Sequence, residues 1–184
     1  MDYQYSRFEQ SPIGFNSRGR PLYRKLPLTP FEKVLNVASI ALIIATWVYV
    51  WVALKDLPDR IPVHFDITGQ PDRFGSKYEL LIMPGIGTFI AIVLQLVTLC
   101  PQSYNLPKIQ ITADNGARIY TYARILMRVM SVLISGFFVF VLVTWINAVK
   151  KEKSLDMGIV LGCSAVFIFL IGTSICVFTK KCKN

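Results

Sequence analysis

The sequence predicts an all-α membrane protein, a bundle of four transmembrane helices, from its composition and from the spacing of its charges. Charged residues make up only 17% of the 184 residues and hydrophobic residues 53%, whereas soluble domains are about one quarter charged. Four uncharged stretches of at least 21 residues each separate the charged segments. About 20 apolar residues cross the hydrocarbon core as a helix, so each stretch is long enough for one span. The stretches are Val34 to Leu54, Leu80 to Pro107, Val129 to Val149 and Met157 to Thr179.

The Lys and Arg residues predict the orientation of this bundle. The N-terminal arm, the second loop with the helix entry after it, and the tail together carry 13 of the 20 basic residues, and the other two loops carry 7. Because basic residues collect on the cytoplasmic side, we expect a multi-pass protein of the bacterial plasma membrane with both termini in the cytoplasm. The first loop, with five acidic and four basic residues, is then extracytoplasmic.

The chain is accordingly divided into a basic cytoplasmic arm (1–33), a first helix pair (34–100) with its loop (55–79), a cytoplasmic loop (101–118), a second helix pair (119–179) and a cytoplasmic tail (180–184). The basic arm is expected to meet anionic lipid headgroups. No aromatic-interleaved binding module accompanies its charge, so no nucleic-acid partner is predicted. The cysteines lie within spans or on the cytoplasmic side, so no disulfide is predicted either.

Capping residues and prolines predict the boundaries of the first two helices. The run Thr29-Pro30-Phe31-Glu32 has the pattern of a capping box with Pro at the first helical position. The first helix is therefore predicted to begin there and to end at about Leu54. The second helix is predicted from about Leu80 to Cys100, with Pro84 in its first turns, where a missing N–H is tolerated.

The third and fourth helices are predicted to be antiparallel neighbours, because only a short charged loop joins them. The third is expected to begin before its uncharged stretch, since apolar residues recur at helical spacing from Ile119. The fourth opens with Gly158-x-x-x-Gly162, a small-residue ridge that we expect to pack against the first or third helix rather than to form dimers. In the second helix, Gln95 is expected to hydrogen-bond to a neighbouring helix.

The first loop carries the densest sequence signal, in the segment LPDRIPVHFDITGQPDRFGSK. Ile61, Val63, Phe65 and Ile67 alternate with the residues between them, which predicts a short half-buried strand. Gly69 and the run Gln70-Pro71-Asp72 predict the turn that follows it. The loop is therefore expected to be an ordered element rather than a slack linker.

His64 is the single histidine of the chain, and the alternation places it on one strand face with Asp66, about 7 Å away. A His-x-Asp pair is able to bind a metal or to orient an imidazole for catalysis. Zinc, however, takes three or four ligands, and a catalytic base needs a reacting partner. We therefore favour a structural His64 bonded to Asp66, Asp72 or the loop backbone, and predict no metal, no cofactor and no catalytic residue.

A family resemblance rests on the same loop. The string Leu57-Pro58-Asp59-x-Ile61-Pro62-x-His64-Phe65, followed by Gly69-x-Pro71-Asp72 and Ser76-Lys77, resembles the signature loop of a bacterial membrane domain of unknown function. That domain forms the N-terminal part of SdpI-type immunity and signal-transduction proteins, and the resemblance covers about Val34 to Cys100. The positions taken as ligand-binding or signature residues are Pro58, Asp59, Pro62, His64, Phe65, Asp66, Gly69, Pro71, Asp72 and Lys77.

The resemblance implies immunity to a peptide toxin, or sequestration of a repressor at the membrane. We therefore predict a non-enzymatic membrane protein with a ligand-sensing or protective outer loop. Its candidate partners are an extracellular peptide, another membrane protein or further copies of the chain. The alternatives are a small transporter or pore subunit, and a membrane enzyme that uses His64 with Asp66 or Asp72. No ionisable residue lies at mid-depth in any predicted span, which argues against ion-coupled transport.

Overall fold

The computed structural model describes residues 11–24, 26–104, 109–151 and 154–183. Residues 1–10 and 25 of the predicted arm, residues 105–108 of the predicted 101–118 loop, residues 152–153 of the loop before the fourth helix and the last residue of the tail lie outside the described residues. Within the described part, four helices are long and apolar enough to span a membrane. The chain is a mostly helical protein, and these spans indicate a membrane protein.

Two small antiparallel hairpins accompany the helices, whereas the all-α bundle predicted from the sequence included a single short strand in its first loop. In chain order the elements are β1 (Gly14–Phe15), β2 (Pro21–Leu22), α1 (Pro30–Asp56), β3 (Arg60–Phe65), β4 (Pro71–Ser76), a 3₁₀ helix (Lys77–Leu81), α2 (Ile82–Val97), a second 3₁₀ helix (Pro101–Ser103), α3 (Gly116–Lys150) and α4 (Met157–Lys183). Strand β1 pairs with β2, and β3 pairs with β4. The sequence prediction found β3 and missed the other three strands.

The start of α1 confirms the predicted capping box. The Thr29 hydroxyl accepts a hydrogen bond from the Glu32 backbone N–H, and the Glu32 carboxylate accepts one from the Thr29 N–H. Two backbone donors that the first turn leaves free are thereby satisfied. The helix continues to Asp56, two residues beyond the predicted end.

The second span begins with a cap that the prediction did not include. Ser76 and Glu79 form another capping box at the start of the 3₁₀ helix Lys77–Leu81, which leads directly into α2. Pro84 lies buried in the first turn of α2, as expected. The helix ends at Val97 rather than near Cys100, and the chain then turns before Pro101.

The central element of the bundle is α3, which packs against α1, α2 and α4. Its 35 residues give a length of about 52 Å, well beyond the roughly 30 Å of the hydrocarbon core. The prediction that this helix begins before its uncharged stretch is confirmed, because α3 starts at Gly116. Its first turns therefore extend past the apolar part of the span.

Two apolar cores lie at opposite ends of the bundle. One joins α1, α3 and the β3–β4 hairpin around Leu54, Ile61 and Ile146; we call this the hairpin end. The other joins the segment before α1, the beginning of α3 and the last turns of α4 around Leu26, Ile119 and Phe178; we call this the arginine end, for the two arginines described below. Between the ends, many large apolar side chains of α1, α2 and α4 are exposed on the outside of the bundle, as expected for helices that face lipid.

The small-residue ridge of α4 does not pack in the way the sequence predicted. Gly158 and Gly162 are both exposed, and a Cβ added at Gly162 would meet no atom within 4 Å. Within the described residues, α4 instead contacts α3 through Phe167, whose ring stacks on Phe137 with centroids 4.8 Å apart. Large apolar side chains thus make this contact, which corrects the expectation of close packing through the glycines.

Candidate functional site

The turn of the β3–β4 hairpin is built by Asp66. Its carboxylate accepts hydrogen bonds from the Thr68 backbone N–H at 2.8 Å, the Thr68 hydroxyl at 2.7 Å and the Gln70 N–H at 2.9 Å. The Gly69 N–H donates to the Asp66 carbonyl, and Gly69 has a φ of 84°, a conformation that glycine adopts without strain. The hydrogen bond from the Thr68 hydroxyl is the main reason that the pKa of Asp66 lies below its ordinary value.

This turn closes earlier than the sequence predicted. Pro71 and Asp72, expected in the turn, are the first two residues of β4. A proline is tolerated at the first residue of a two-stranded hairpin, because its missing N–H breaks no central ladder. The predicted alternation holds for Ile61 and Val63, which are buried, and for Phe65, which is half-buried; Ile67 lies in the turn and is 85% exposed.

The hairpin is fixed to the helices by apolar and polar contacts. The indole N–H of Trp145 on α3 donates to the Pro62 carbonyl at 2.8 Å, and the Trp145 ring meets Phe65 edge-on. From the loop before α4, the Leu155 N–H donates to the Gly69 carbonyl at 2.8 Å. The hairpin is thus attached along β3 and again at its turn.

Lys77 fixes the end of the hairpin to α1. Its ammonium group donates to the Leu57 carbonyl at 3.2 Å and lies 3.1 Å from the Asp59 carboxylate. The side chain is 15% exposed, whereas that of Asp59 is 97% exposed. The hydrogen bond from Lys77 to the Leu57 carbonyl is therefore shielded from solvent, whereas the ion pair with Asp59 is a surface contact that solvent screens.

His64 bonds to Asp72, one of the three partners that the sequence left open. The His64 Nδ1 lies 2.6 Å from the Asp72 Oδ1 across the two strands, and the two side chains are 64% and 46% exposed. Asp66 does not pair with His64, because its carboxylate is occupied by the turn and the strand pairing is irregular beside His64. Within the described residues no group of three or more His, Cys, Asp and Glu side chains converges.

The predicted loop residues therefore divide into two sets. The first set holds the hairpin together or attaches it to the bundle: Pro62, Phe65, Asp66, Gly69 and Lys77. The second set is exposed on the hairpin and consists of Pro58, Asp59, His64 and Asp72. Pro71 is half-buried at the start of β4. The exposed set, together with the exposed side chains of Ile67 and Phe74, forms part of the solvent-exposed surface at this end of the bundle.

At the arginine end the structure reveals a polar cluster that sequence reasoning missed. Glu32 of α1 is fully buried against two arginines of α3. The Arg128 Nη1 donates to the Glu32 Oε1 at 2.9 Å, and the Arg124 Nη2 donates to the Glu32 Oε2 at 3.2 Å. The sequence signal was the four-residue spacing of the arginines, which places both on one face of α3 at the end where α1 begins.

Backbone carbonyls and amides complete this cluster. Arg124 donates to the carbonyls of Leu26 and Pro27, both at 2.9 Å, and the Arg128 Nε donates to the Asn36 side chain at 2.7 Å. One turn further along, the hydroxyls of Ser39 and Ser131 are 2.8 Å apart. These contacts tie α1 to α3 through groups that are shielded from solvent.

These features indicate a membrane protein with four candidate spans and a short hairpin fixed on one end of its bundle. Residues 41–88 match a family described as "Domain of unknown function (DUF1648)". The matched segment runs from α1 through the hairpin into α2, and its two helices are joined by a hydrogen bond from Trp47 to Thr88. The resemblance of the first loop to a domain of unknown function is thereby confirmed over this segment.

A curated relative matches across a longer part of the chain. An uncharacterized protein of Archaeoglobus fulgidus is 35% identical over 89 residues, which cover 44% of this chain and 49% of that protein. The chain therefore spans about half the length of the curated relative that it matches. No solved structure matches the chain significantly.

Proposed function

We propose that the protein is a multi-pass protein of the bacterial plasma membrane whose hairpin faces the outside and binds an extracellular peptide. The hairpin would act as a ligand-sensing or protective surface, as the resemblance to SdpI-type immunity and signal-transduction proteins implies. The excess of basic residues in the N-terminal arm, the second loop and the tail supports this orientation.

The observation that carries the proposal is the exposed pair of His64 and Asp72 on an anchored hairpin. The attachment of the hairpin uses Trp145, Lys77 and Leu155 and leaves this pair free of structural contacts to the helices. A surface that is already ordered loses little conformational entropy on binding. Exposed Ile67 and Phe74 add apolar area beside the polar pair, a mixture that is typical of peptide-binding surfaces.

The proposal includes no catalytic step, no cofactor and no nucleic-acid partner. Two side chains with a hydrogen bond between them are too few for a zinc site, and a His–carboxylate pair does chemistry only beside a nucleophile or a bound substrate. We assign the pair to recognition for this reason. The lipid bilayer remains the partner of the apolar helix surfaces.

Gene disruption followed by peptide challenge tests this proposal. Cells that lack the gene are exposed to a panel of extracellular antimicrobial peptides and complemented with wild type, Asp72→Ala or Asp56→Ala. Asp56 is the matched control, because it is an exposed carboxylate at the same end of the bundle that pairs with Lys150 outside the hairpin. We expect wild type and Asp56→Ala to restore resistance to at least one peptide, and Asp72→Ala to fail at equal protein abundance.

Two results would contradict the proposal. One is unchanged sensitivity of the disrupted strain to every peptide in the panel. The other is full restoration of resistance by Asp72→Ala, because the pair would then have no part in recognition.

A further inference from the structure

A cleft of about 660 Å³ opens between α1, α2 and α3 at the arginine end. It lies at the opposite end of the bundle from the hairpin, so it is independent of the proposed peptide-binding surface. Its polar wall includes Asn36, Gln95, Tyr120, Arg124 and Arg128. Two of these residues, Arg124 and Arg128, are the arginines that hold Glu32.

Two hydrogen-bonding groups in this wall have no partner within the described residues. Tyr120 is only 1% exposed, and its buried hydroxyl has no hydrogen-bond partner. The Gln95 amide nitrogen is also buried without a partner. The Arg124 Nε is different, because it forms an ion pair with the Glu32 Oε1 at 3.0 Å without the alignment of a hydrogen bond. Gln95 was predicted to hydrogen-bond to a neighbouring helix, and the structure corrects that expectation.

The charge of the cluster favours an anionic ligand. Two guanidinium groups face one carboxylate, so the group carries a formal excess of one positive charge. The two unpaired groups, the Tyr120 hydroxyl and the Gln95 amide nitrogen, are both able to donate hydrogen bonds. A phosphate-type oxyanion accepts several such bonds at once and matches the geometry of guanidinium groups.

The other wall of the cleft is apolar and continues onto the outer surface of the helices. It consists of Ile40, Ile43, Ile92, Leu96 and Leu99, and the side chains of Ile40, Leu96 and Leu99 are more than half exposed. A free inorganic ion has no apolar surface that could cover this wall. A hydrocarbon chain would cover it and would lie in the same layer as the lipid tails around the bundle.

We propose that this cleft binds an amphiphile with an anionic phosphate headgroup from the membrane. The headgroup contacts Arg124, Arg128 and the Tyr120 hydroxyl, and an acyl chain lies along the wall of Ile40, Ile92 and Leu96. The Glu32 carboxylate holds the two arginines in place and leaves one positive charge for the ligand. Gln95 donates from the α2 side of the cleft.

Binding measurements on the purified full-length protein in detergent micelles test the proposal. Native mass spectrometry is used to titrate the protein with phosphatidylglycerol, with phosphatidylcholine of the same chain length, and with inorganic phosphate alone. We expect phosphatidylglycerol to bind about tenfold more tightly than either of the others, because only it supplies both the anionic headgroup and the chain.

Tyr120→Phe and Tyr122→Phe form a matched pair of variants on α3. Each loses one hydroxyl, but Tyr122 lies outside the cleft, where Lys181 sits over its ring. We expect Tyr120→Phe to weaken phosphatidylglycerol binding about fivefold, the loss of one hydrogen bond, and Tyr122→Phe to leave it unchanged. Without lipid, Tyr120→Phe should unfold at or above the wild-type temperature, because the buried hydroxyl has no partner in the described chain and its burial costs stability. If Tyr120→Phe lowers the yield of folded protein, Gln95→Leu provides the same test.

Three outcomes would overturn the proposal. Equal binding of phosphatidylglycerol and phosphatidylcholine would show that the cleft does not recognise the anionic headgroup. Equal effects of Tyr120→Phe and Tyr122→Phe would place the lipid outside the cleft. Binding of inorganic phosphate as tight as that of phosphatidylglycerol would show a plain oxyanion site with no role for the chain.

Discussion

The two ends of the bundle use charged side chains in opposite ways. At the hairpin end, the pairs His64–Asp72 and Lys150–Asp56 are exposed, and apolar packing around Ile61 holds the hairpin in place. At the arginine end, Glu32 and its two arginines are buried and join α1 to α3 directly. Exposed pairs contribute little stability, whereas loss of one partner from a buried cluster is costly. Surface residues of the hairpin end can therefore change with little loss of stability, but the arginine end cannot lose its carboxylate.

The largest effect is expected from Glu32→Ala. Two buried guanidinium groups lose their carboxylate, and the capping box of α1 loses one of its two hydrogen bonds. We expect the free energy of unfolding, measured by SDS titration in mixed micelles, to fall by about 3–5 kcal/mol. Asp56→Ala is the control, since an exposed pair contributes at most about 1 kcal/mol. Equal losses of unfolding free energy in Glu32→Ala and Asp56→Ala would show that charged side chains contribute to stability in the same way at both ends.

Gly69→Ala is expected to have the next largest effect. An added Cβ would lie 1.9 Å from the Leu155 carbonyl oxygen, and the residue has a φ of 84°. The left-handed conformation alone costs an alanine about 1 kcal/mol, and the clash must also displace the loop before α4. Gly19→Ala is a matched control, because Gly19 has a φ of 69° and open space around it.

The same SDS titration should rank these two glycine variants. We expect Gly69→Ala to lose at least about twice as much stability as Gly19→Ala, with faster hydrogen exchange in β3 and β4. A Gly69→Ala protein with wild-type exchange in the hairpin would show that the Leu155 contact does not hold the turn.

A smaller effect is expected from Trp145→Phe. This change keeps the ring near Phe65 and removes the hydrogen bond to the Pro62 carbonyl, which contributes about 1 kcal/mol. Hydrogen exchange should accelerate in β3. Trp47→Phe removes an equivalent bond to Thr88 between α1 and α2, and exchange in β3 should then stay at the wild-type rate. Acceleration of β3 exchange by both variants would mean that the hairpin is not attached specifically through Trp145.

The smallest effect is the acid response of the hairpin turn. The pKa of Asp66 in the folded protein is below its ordinary value of 3.8. The stability that the ionised Asp66 contributes is therefore fully present above pH 3.8 and is lost as the pH falls through the folded-state pKa. Amide chemical shifts of Thr68 and Gln70 should report this loss at acid pH. In Asp66→Asn the titration should disappear, and a wild-type titration centred above 3.8 would contradict the assignment.

The four helices could be predicted from the sequence because the patterns that indicate a helix are local in the chain. The cap at Thr29 is contained in four consecutive residues, and the long apolar stretches predicted each span directly. Strand β4 was missed because Pro71 and Gly75 are typical of turns, and only pairing with β3 makes this segment extended. Local propensity was overridden there by the partner strand.

The contacts of the candidate site residues were harder to predict because their partners are distant in sequence. Asp72 was one of three possible partners of His64, and the choice depended on where the turn closed. The Glu32 cluster joins residues more than 90 positions apart. The capping box already explained a glutamate at position 32, so there was no reason in the sequence to look for a distant partner. The ridge of Gly158 and Gly162 shows the converse, since a recognisable motif has no packing role within the described chain.

Cysteine labelling in intact cells tests most directly that the two ends face opposite sides of the membrane. In a background without the native cysteines, Ile67→Cys places a thiol at the hairpin turn and Ser17→Cys places one in the N-terminal arm; both positions are exposed. A membrane-impermeant maleimide is expected to label Ile67→Cys in intact cells and Ser17→Cys only after permeabilisation. Labelling of Ser17→Cys in intact cells, with Ile67→Cys protected until permeabilisation, would contradict the outward-facing hairpin on which the proposed function depends.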